Sequence, residues 1–262
     1  MIGHRATIEA LGAAAAILWS ATPLHAQAPA PASVRLTAGP AAPLALPPPI
    51  NDQAIEFHAL LEQLEARSTG ASNNFRYEGL AWAGTDYDKL FLKFEGTRRN
   101  NGAYGDGINE VLYSRAISPY FDLQTGIRVD LDNGRQRTWF AFGIQGLAIQ
   151  WFTVEATAYV SSSGHLAAKL NASYDIPITN RLFLQPQVEL NVYSKDDPGR
   201  AVGSGLGELD AGLRLRYEIT RKFAPYVGVA YQKAFGPTAT FARREGSPVN
   251  DVRFIFGVRT WF

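Results

Sequence analysis

Few residues in this chain could hold a metal ion or attack a bond. The 262 residues include no cysteine, one methionine and four histidines. Met1, His4 and His25 lie in a segment that reads as removable, so His58 and His165 are the neutral nitrogen donors that remain. A two-histidine site completed by carboxylates such as Glu95, Asp122 or Glu155 would suit a divalent transition metal that takes nitrogen and oxygen ligands. The alternative for two scattered histidines is a solvated or hydrogen-bonded role. Ser161 and Ser163 beside His165 raise the question of a hydrolase. Residues adjacent along a strand alternate faces, however, and a nucleophile needs a base within hydrogen-bond reach and a group to orient it. That constellation is missing, so no catalytic residue is assigned and the chain is not expected to be an enzyme.

A second population of charges is larger and more regular. Lys93, Arg128, Arg137, Lys169, Asp175 and Glu189 recur at every second position against an apolar set, and so do Asp210, Arg214, Arg216, Glu218, Arg253 and Arg259. Successive side chains of a strand point to opposite faces, so each group of charges shares one side. Such an interior reads either as a polar conduit that binds ions or as compensating ion pairs that fill and rigidify it. The near-equal numbers of the two signs fit the second reading.

The elements that position these charges are strands. The clearest is Asp251 to Phe262, D-V-R-F-I-F-G-V-R-T-W-F, with Val252, Phe254, Phe256 and Val258 on one face and Arg253, Ile255, Gly257 and Arg259 on the other. An apolar face opposite arginines, over about 10 residues and ending in aromatics, is what a transmembrane β-barrel needs in its closing strand. The same alternation recurs from Phe75 onward. Short joints such as Ser118-Pro119 alternate with longer ones such as 98–107, 194–207 and 236–250, the rhythm of short turns and long loops in an outer-membrane barrel. The clear strands number about eleven, and a barrel with both termini on one side needs an even count. The segment Ala54 to Arg67, which locally favours a helix, is therefore assigned as strand one, giving an all-β, antiparallel up-and-down barrel of about twelve strands.

Ahead of the barrel, Arg5, an apolar run to Trp19 and a small residue at Ala26 form a secretory signal covering residues 1–26. Residues 27–53 read as a disordered Ala/Pro-rich leader, and the barrel occupies 54–262. Mean hydropathy is −0.11, with no apolar run near the length of a membrane helix. The net charge of +1 offers no electrostatic case for nucleic acid. A soluble sandwich or lipocalin-like barrel would show the same alternation. The strand count, the signal and the aromatics at strand ends (Tyr120, Trp151, Tyr193, Trp261, Phe262) favour outer-membrane lipid as the surrounding partner.

Four stretches carry a resemblance: E-V-L-Y-S-R-A-I-S-P-Y-F-D-L-Q-T-G from Glu110, Q-G-L-A with W-F-T-V-E-A-T-A-Y-V from Gln145 to Val160, L-Q-P-Q-V-E-L-N-V-Y-S-K-D-D-P from Leu184, and G-L-R-L-R-Y-E-I-T-R-K-F-A-P-Y-V-G-V from Gly212. Together they resemble the copper resistance protein B family, over about His58 to Phe262. The resemblance implies a barrel in the outer membrane of a Gram-negative bacterium that binds or moves copper ions. It also implies a periplasmic copper-binding or copper-oxidising partner, and recognition of the terminal Phe262 by the barrel-assembly machinery. Family members often carry a Met- and His-rich N-terminal segment, whereas Gln27 to Ile50 holds neither residue. A structural or general small-solute barrel without copper chemistry is the alternative function.

Overall fold

The structure, a computed structural model, describes residues 51–69, 73–99, 104–131 and 136–262. The expected signal and most of the leader lie outside the described residues. The strands are β1 (Glu56–Ser68), β2 (Asn73–Gly84), β3 (Asp88–Arg99), β4 (Tyr104–Ala116), β5 (Phe121–Asp130), β6 (Arg137–Leu147) and β7 (Thr153–Ser161). They continue with β8 (Leu166–Ser173), β9 (Ile176–Pro177), β10 (Leu182–Tyr193), β11 (Gly205–Tyr217), β12 (Phe223–Ala234) and β13 (Asn250–Trp261). One helix, α1 (Gly236–Arg244), lies between the last two strands. Neighbours pair antiparallel in chain order, and β13 returns to β1, with Leu60 opposite Trp261 and Ser68 opposite Phe254. That pairing closes the sheet into a barrel and leaves no edge.

The two-residue β9 continues β8. Both pair with β10 in one register, Ser173 opposite Gln187 and Ile176 opposite Leu184. Between them the Tyr174 N–H donates to the Pro186 carbonyl at 3.1 Å. Pro186 has no N–H to return the second bond, so the ladder lapses there. With β8 and β9 counted as one stave, the thirteen strands make the twelve that parity requires.

Exposure separates the two faces. Phe254 and Phe256 are 62% and 59% exposed, while Ile255 between them is fully buried. On β6, Phe140 and Phe142 are likewise bare where Trp139 and Ala141 are buried. Covering one such side chain is worth about 1.5–3 kcal/mol, so a wall that leaves dozens of apolar groups uncovered is built for hydrocarbon. A barrel meets the further demand that every backbone polar group be satisfied internally.

Ala54 to Arg67 alternates poorly for a specific reason. Its register slips against β2 between Leu61 and Gln63 and against β13 between Leu61 and Leu64. A β-bulge inserts one residue and inverts the period-two pattern beyond it. Leu60 lines the interior before the slip, as does Glu62 within it, and Gln63, Glu65 and Arg67 are buried in it afterwards.

The joints at the end that holds both termini of the barrel are short. The far end carries the longer connections at 194–204 and 235–249. In the second of these the sequence reading gave a loop, but Gly236–Arg244 is helical, with proline in its first turn, where a missing N–H costs nothing. Strand β7 begins only at Thr153, because Gln150 and Trp151 take φ of 64° and 68° to reverse the chain. Trp151 then meets Tyr120 edge-on at 6.4 Å, part of an aromatic rim at that end.

Candidate functional site in the barrel lumen

Opposite walls of the lumen are tied together by charge. Lys169 on β8 donates to both oxygens of Glu95 on β3, each at 2.7 Å. Arg76 on β2 lies 3.2 Å from Glu189 on β10, 3.5 Å from Glu78 and 3.6 Å from Glu95. Three carboxylates thus face two cations at mid-lumen. Toward the far end Glu65 is fully buried. It accepts from Arg67 Nε at 2.6 Å, Arg214 Nε at 3.1 Å and the Tyr226 hydroxyl at 2.9 Å. Arg67 continues to Asp210 at 2.6 Å, and Arg214 to Gln187 at 2.7 Å. These contacts bar the middle of the barrel.

Between the bars and the terminus end lies a cavity of about 570 Å³. Glu62, Glu78, Glu95, Glu110, Glu155 and Asp175 line it, against Lys93, Lys169 and Arg259. Lys93 is held by Gln124 at 2.9 Å, Gln145 at 2.8 Å and Glu155 at 2.9 Å. Glu110 accepts from the Tyr159 hydroxyl at 2.8 Å. Among the described residues, Glu62 has no ion-pair partner. The chamber is acidic on balance. On the far side of the bars a smaller cavity of about 170 Å³ is bordered by Arg67, Arg76, Arg128 and Arg253 together with Glu189 and Asp210.

The two histidines do not meet, which corrects the two-histidine site considered from sequence. His58 lies near the start of β1 at the terminus end, 6.0 Å from the Trp82 ring. His165 sits in the far-end turn between β7 and β8, its Nδ1 3.0 Å from Ser163 Oγ. A stave's length separates the two ends of the wall. The three carboxylates named with them are engaged elsewhere: Glu95 with Lys169, Glu155 with Lys93, and Asp122 with Lys89 at 3.5 Å. Among the described residues no group of three or more His, Cys, Asp or Glu side chains forms a metal-binding cluster.

The remaining charges named from sequence fall on the lumen side of the wall. Arg128 bonds Asp130 at 2.6 Å, and Arg137 reaches Asp197 at 2.5 Å. Arg216 bonds Asp175 at 2.9 Å and lies 4.0 Å from Glu218, and Arg253 bonds Asp251 at 2.9 Å. Arg259 lies over Trp261, 5.8 Å from the ring centre. Sequence reasoning missed Gln63, Glu65 and Arg67, whose phase the bulge inverts, and Arg76 and Glu78. The last two could have been found, since Arg76, Glu78, Leu80 and Trp82 alternate with Phe75, Tyr77, Gly79 and Ala81.

With this geometry in view, the relatives are informative. The family model described as Copper resistance protein B precursor (CopB) matches residues 55–262. Copper resistance protein B of Escherichia coli is 44% identical over 213 residues, which are 81% of this chain and 72% of that protein. A Copper resistance protein B homolog of Pseudomonas syringae pv. tomato is 42% identical over the same shares. Among solved structures, the NanC porin superposes with a TM-score of 0.50 at 12% identity, covering 78% of this chain and 99% of that one, a likeness of fold alone. The chain belongs to the copper resistance protein B family, built on an outer-membrane-type β-barrel.

Proposed function

We propose that this barrel sits in the outer membrane with its termini toward the periplasm and handles copper ions in copper tolerance. The observation that carries this reading is the acidic chamber at the terminus end, about 570 Å³ with six carboxylates against three cations. Oxygen ligands suit Cu(II) as cargo better than Cu(I), which prefers sulfur. In this reading copper enters the chamber from the periplasm, delivered or oxidised by a periplasmic partner, and the ion pairs at mid-lumen hold it there or meter its passage. The chain acts as a binding and transit protein rather than an enzyme.

The test is Cu(II) titration of the purified barrel alongside Glu62→Gln, His58→Ala and His165→Ala, together with complementation of a copper-sensitive deletion strain. The expected result is binding weakened by Glu62→Gln and little changed by either histidine substitution, with complementation reduced in parallel. The cross-lumen ion pairs favour a second reading, a structural or small-solute barrel that keeps the family fold. No copper binding by any form, with unchanged copper sensitivity in the deletion strain, would establish that second reading.

A further inference from the structure

Residues 194–204, between β10 and β11, form a compact strap at the far mouth. Asp197 and Val202 exchange backbone bonds of 2.7 and 3.2 Å, and Ala201 turns the chain at φ 56°. The Ser204 N–H closes the base of the strap on Asp196 Oδ1 at 2.6 Å. From this turn Asp197 reaches Arg137 on β6 at 2.5 Å, and Arg200 reaches Asp130 on β5 at 2.6 Å. Asp130 is fully buried and is already held by Arg128 at 2.6 Å and by the Trp139 indole N–H at 2.8 Å. The wall side of this latch is therefore rigid, and the strap side is a short hairpin. Arg200 and Val202 border the 170 Å³ far cavity, whose lining also includes Thr97. The strap thus lies where that cavity meets the outside. A second tie, from the Gly203 N–H to Thr238 Oγ1 at 2.9 Å, joins it to α1.

We propose that this strap is a gate over the far mouth, latched shut by the Arg137–Asp197 and Arg200–Asp130 pairs. Each pair keeps a partner that is 15–20% exposed at the mouth, where water takes up its charge on opening, while buried Asp130 stays held by Arg128 and Trp139. A cover fastened by two such pairs opens and recloses, whereas one packed into an apolar core would not. The gate controls access to the far cavity whether or not the mid-lumen bars also move, and it does not depend on what the barrel carries.

The natural chain has no cysteine, so Thr97→Cys places a single thiol in the far cavity. Labelling of this full-length protein in nanodiscs by a bulky impermeant maleimide reports opening. Folding is checked by the heat-modifiable gel shift of barrels. The expected result is slow labelling of the parent, accelerated about tenfold or more by Asp197→Asn with Arg200→Gln. The swapped pair Arg137→Asp with Asp197→Arg should restore slow labelling. Equal rates in the parent and in a folded loosened variant, or fast labelling in the parent, would overturn the gate.

Discussion

Lys169 and Glu95 stand on strands that are not neighbours, and the lysine ammonium lies 2.7 Å from both carboxylate oxygens. The contact ties opposite walls of the barrel through its interior. Removing one partner of such a buried pair leaves the other charge uncompensated, at about 3–5 kcal/mol, whereas replacing both is often close to neutral. Lys169→Met should therefore destabilise the barrel by about that amount, and adding Glu95→Gln should recover most of it. Urea unfolding in lipid vesicles followed by tryptophan fluorescence measures both variants. Equal losses in the single and double variants would show that the pair carries no such coupling.

The outward face of β13 gives a depth series. Phe256→Arg places a cation on the hydrocarbon side and should cost about 2–4 kcal/mol if it lies near the midplane, while Val252→Arg, closer to the rim, should cost about 0–1 kcal/mol. The same unfolding assay ranks them. A flat series would argue against a membrane-embedded face.

Tyr226 donates to Glu65 at 2.9 Å, with its ring packed on Gly257 of the adjacent strand. A Cβ at Gly257 would meet that ring at 2.5 Å. Tyr226→Phe should lose a hydrogen bond to a charged group, about 1.5–3 kcal/mol. Gly257→Ala should displace the ring and forfeit the same bond. The two substitutions should therefore be strongly non-additive in a double-mutant cycle. Simple additivity would separate the glycine from the hydroxyl.

Acid should loosen the strap only at low pH. The backbone N–H of Ser204, with its side chain adding to the effect, holds the exposed Asp196 carboxyl below the ordinary aspartate value. A depressed folded value means that the stabilisation is present above the unfolded pKa of about 3.9 and is lost as pH falls through the folded value. A spin label at exposed Gly199→Cys should show constant strap mobility from about pH 8 to 5 and a rise only below about pH 4. A transition near neutrality would assign strap motion to another group.

The wall of this barrel was legible because its signal is repetitive. The staves after β1 repeat the same alternation, and the parity rule could turn an ambiguous Ala54–Arg67 into β1. The interior was only half legible. Alternation says that Arg214 and Glu189 face inward, but partners across a lumen are set by barrel diameter and strand stagger, which no local pattern encodes. Glu65 and Arg67 were lost to the bulge, where one inserted residue inverts the phase. The α1 helix was hidden because Gly236 and Pro237 read as loop residues, although Pro is well placed at a helix start. The separation of His58 from His165 was present in the strand order, since one begins an ascending stave and the other opens a descending one.

The seam between β1 and β13 also sets the order of events during folding. Every other stave pairs with its sequence neighbour, so those contacts can form as soon as two consecutive segments are available. Leu60 must wait for Trp261, at the largest sequence separation in the sheet. Until β13 is available, the preceding staves form a ribbon with two unpaired edges at β1 and β12, each a template for joining another chain. A product released before its last strand therefore carries two open edges, an aggregation seed rather than a slightly weaker barrel.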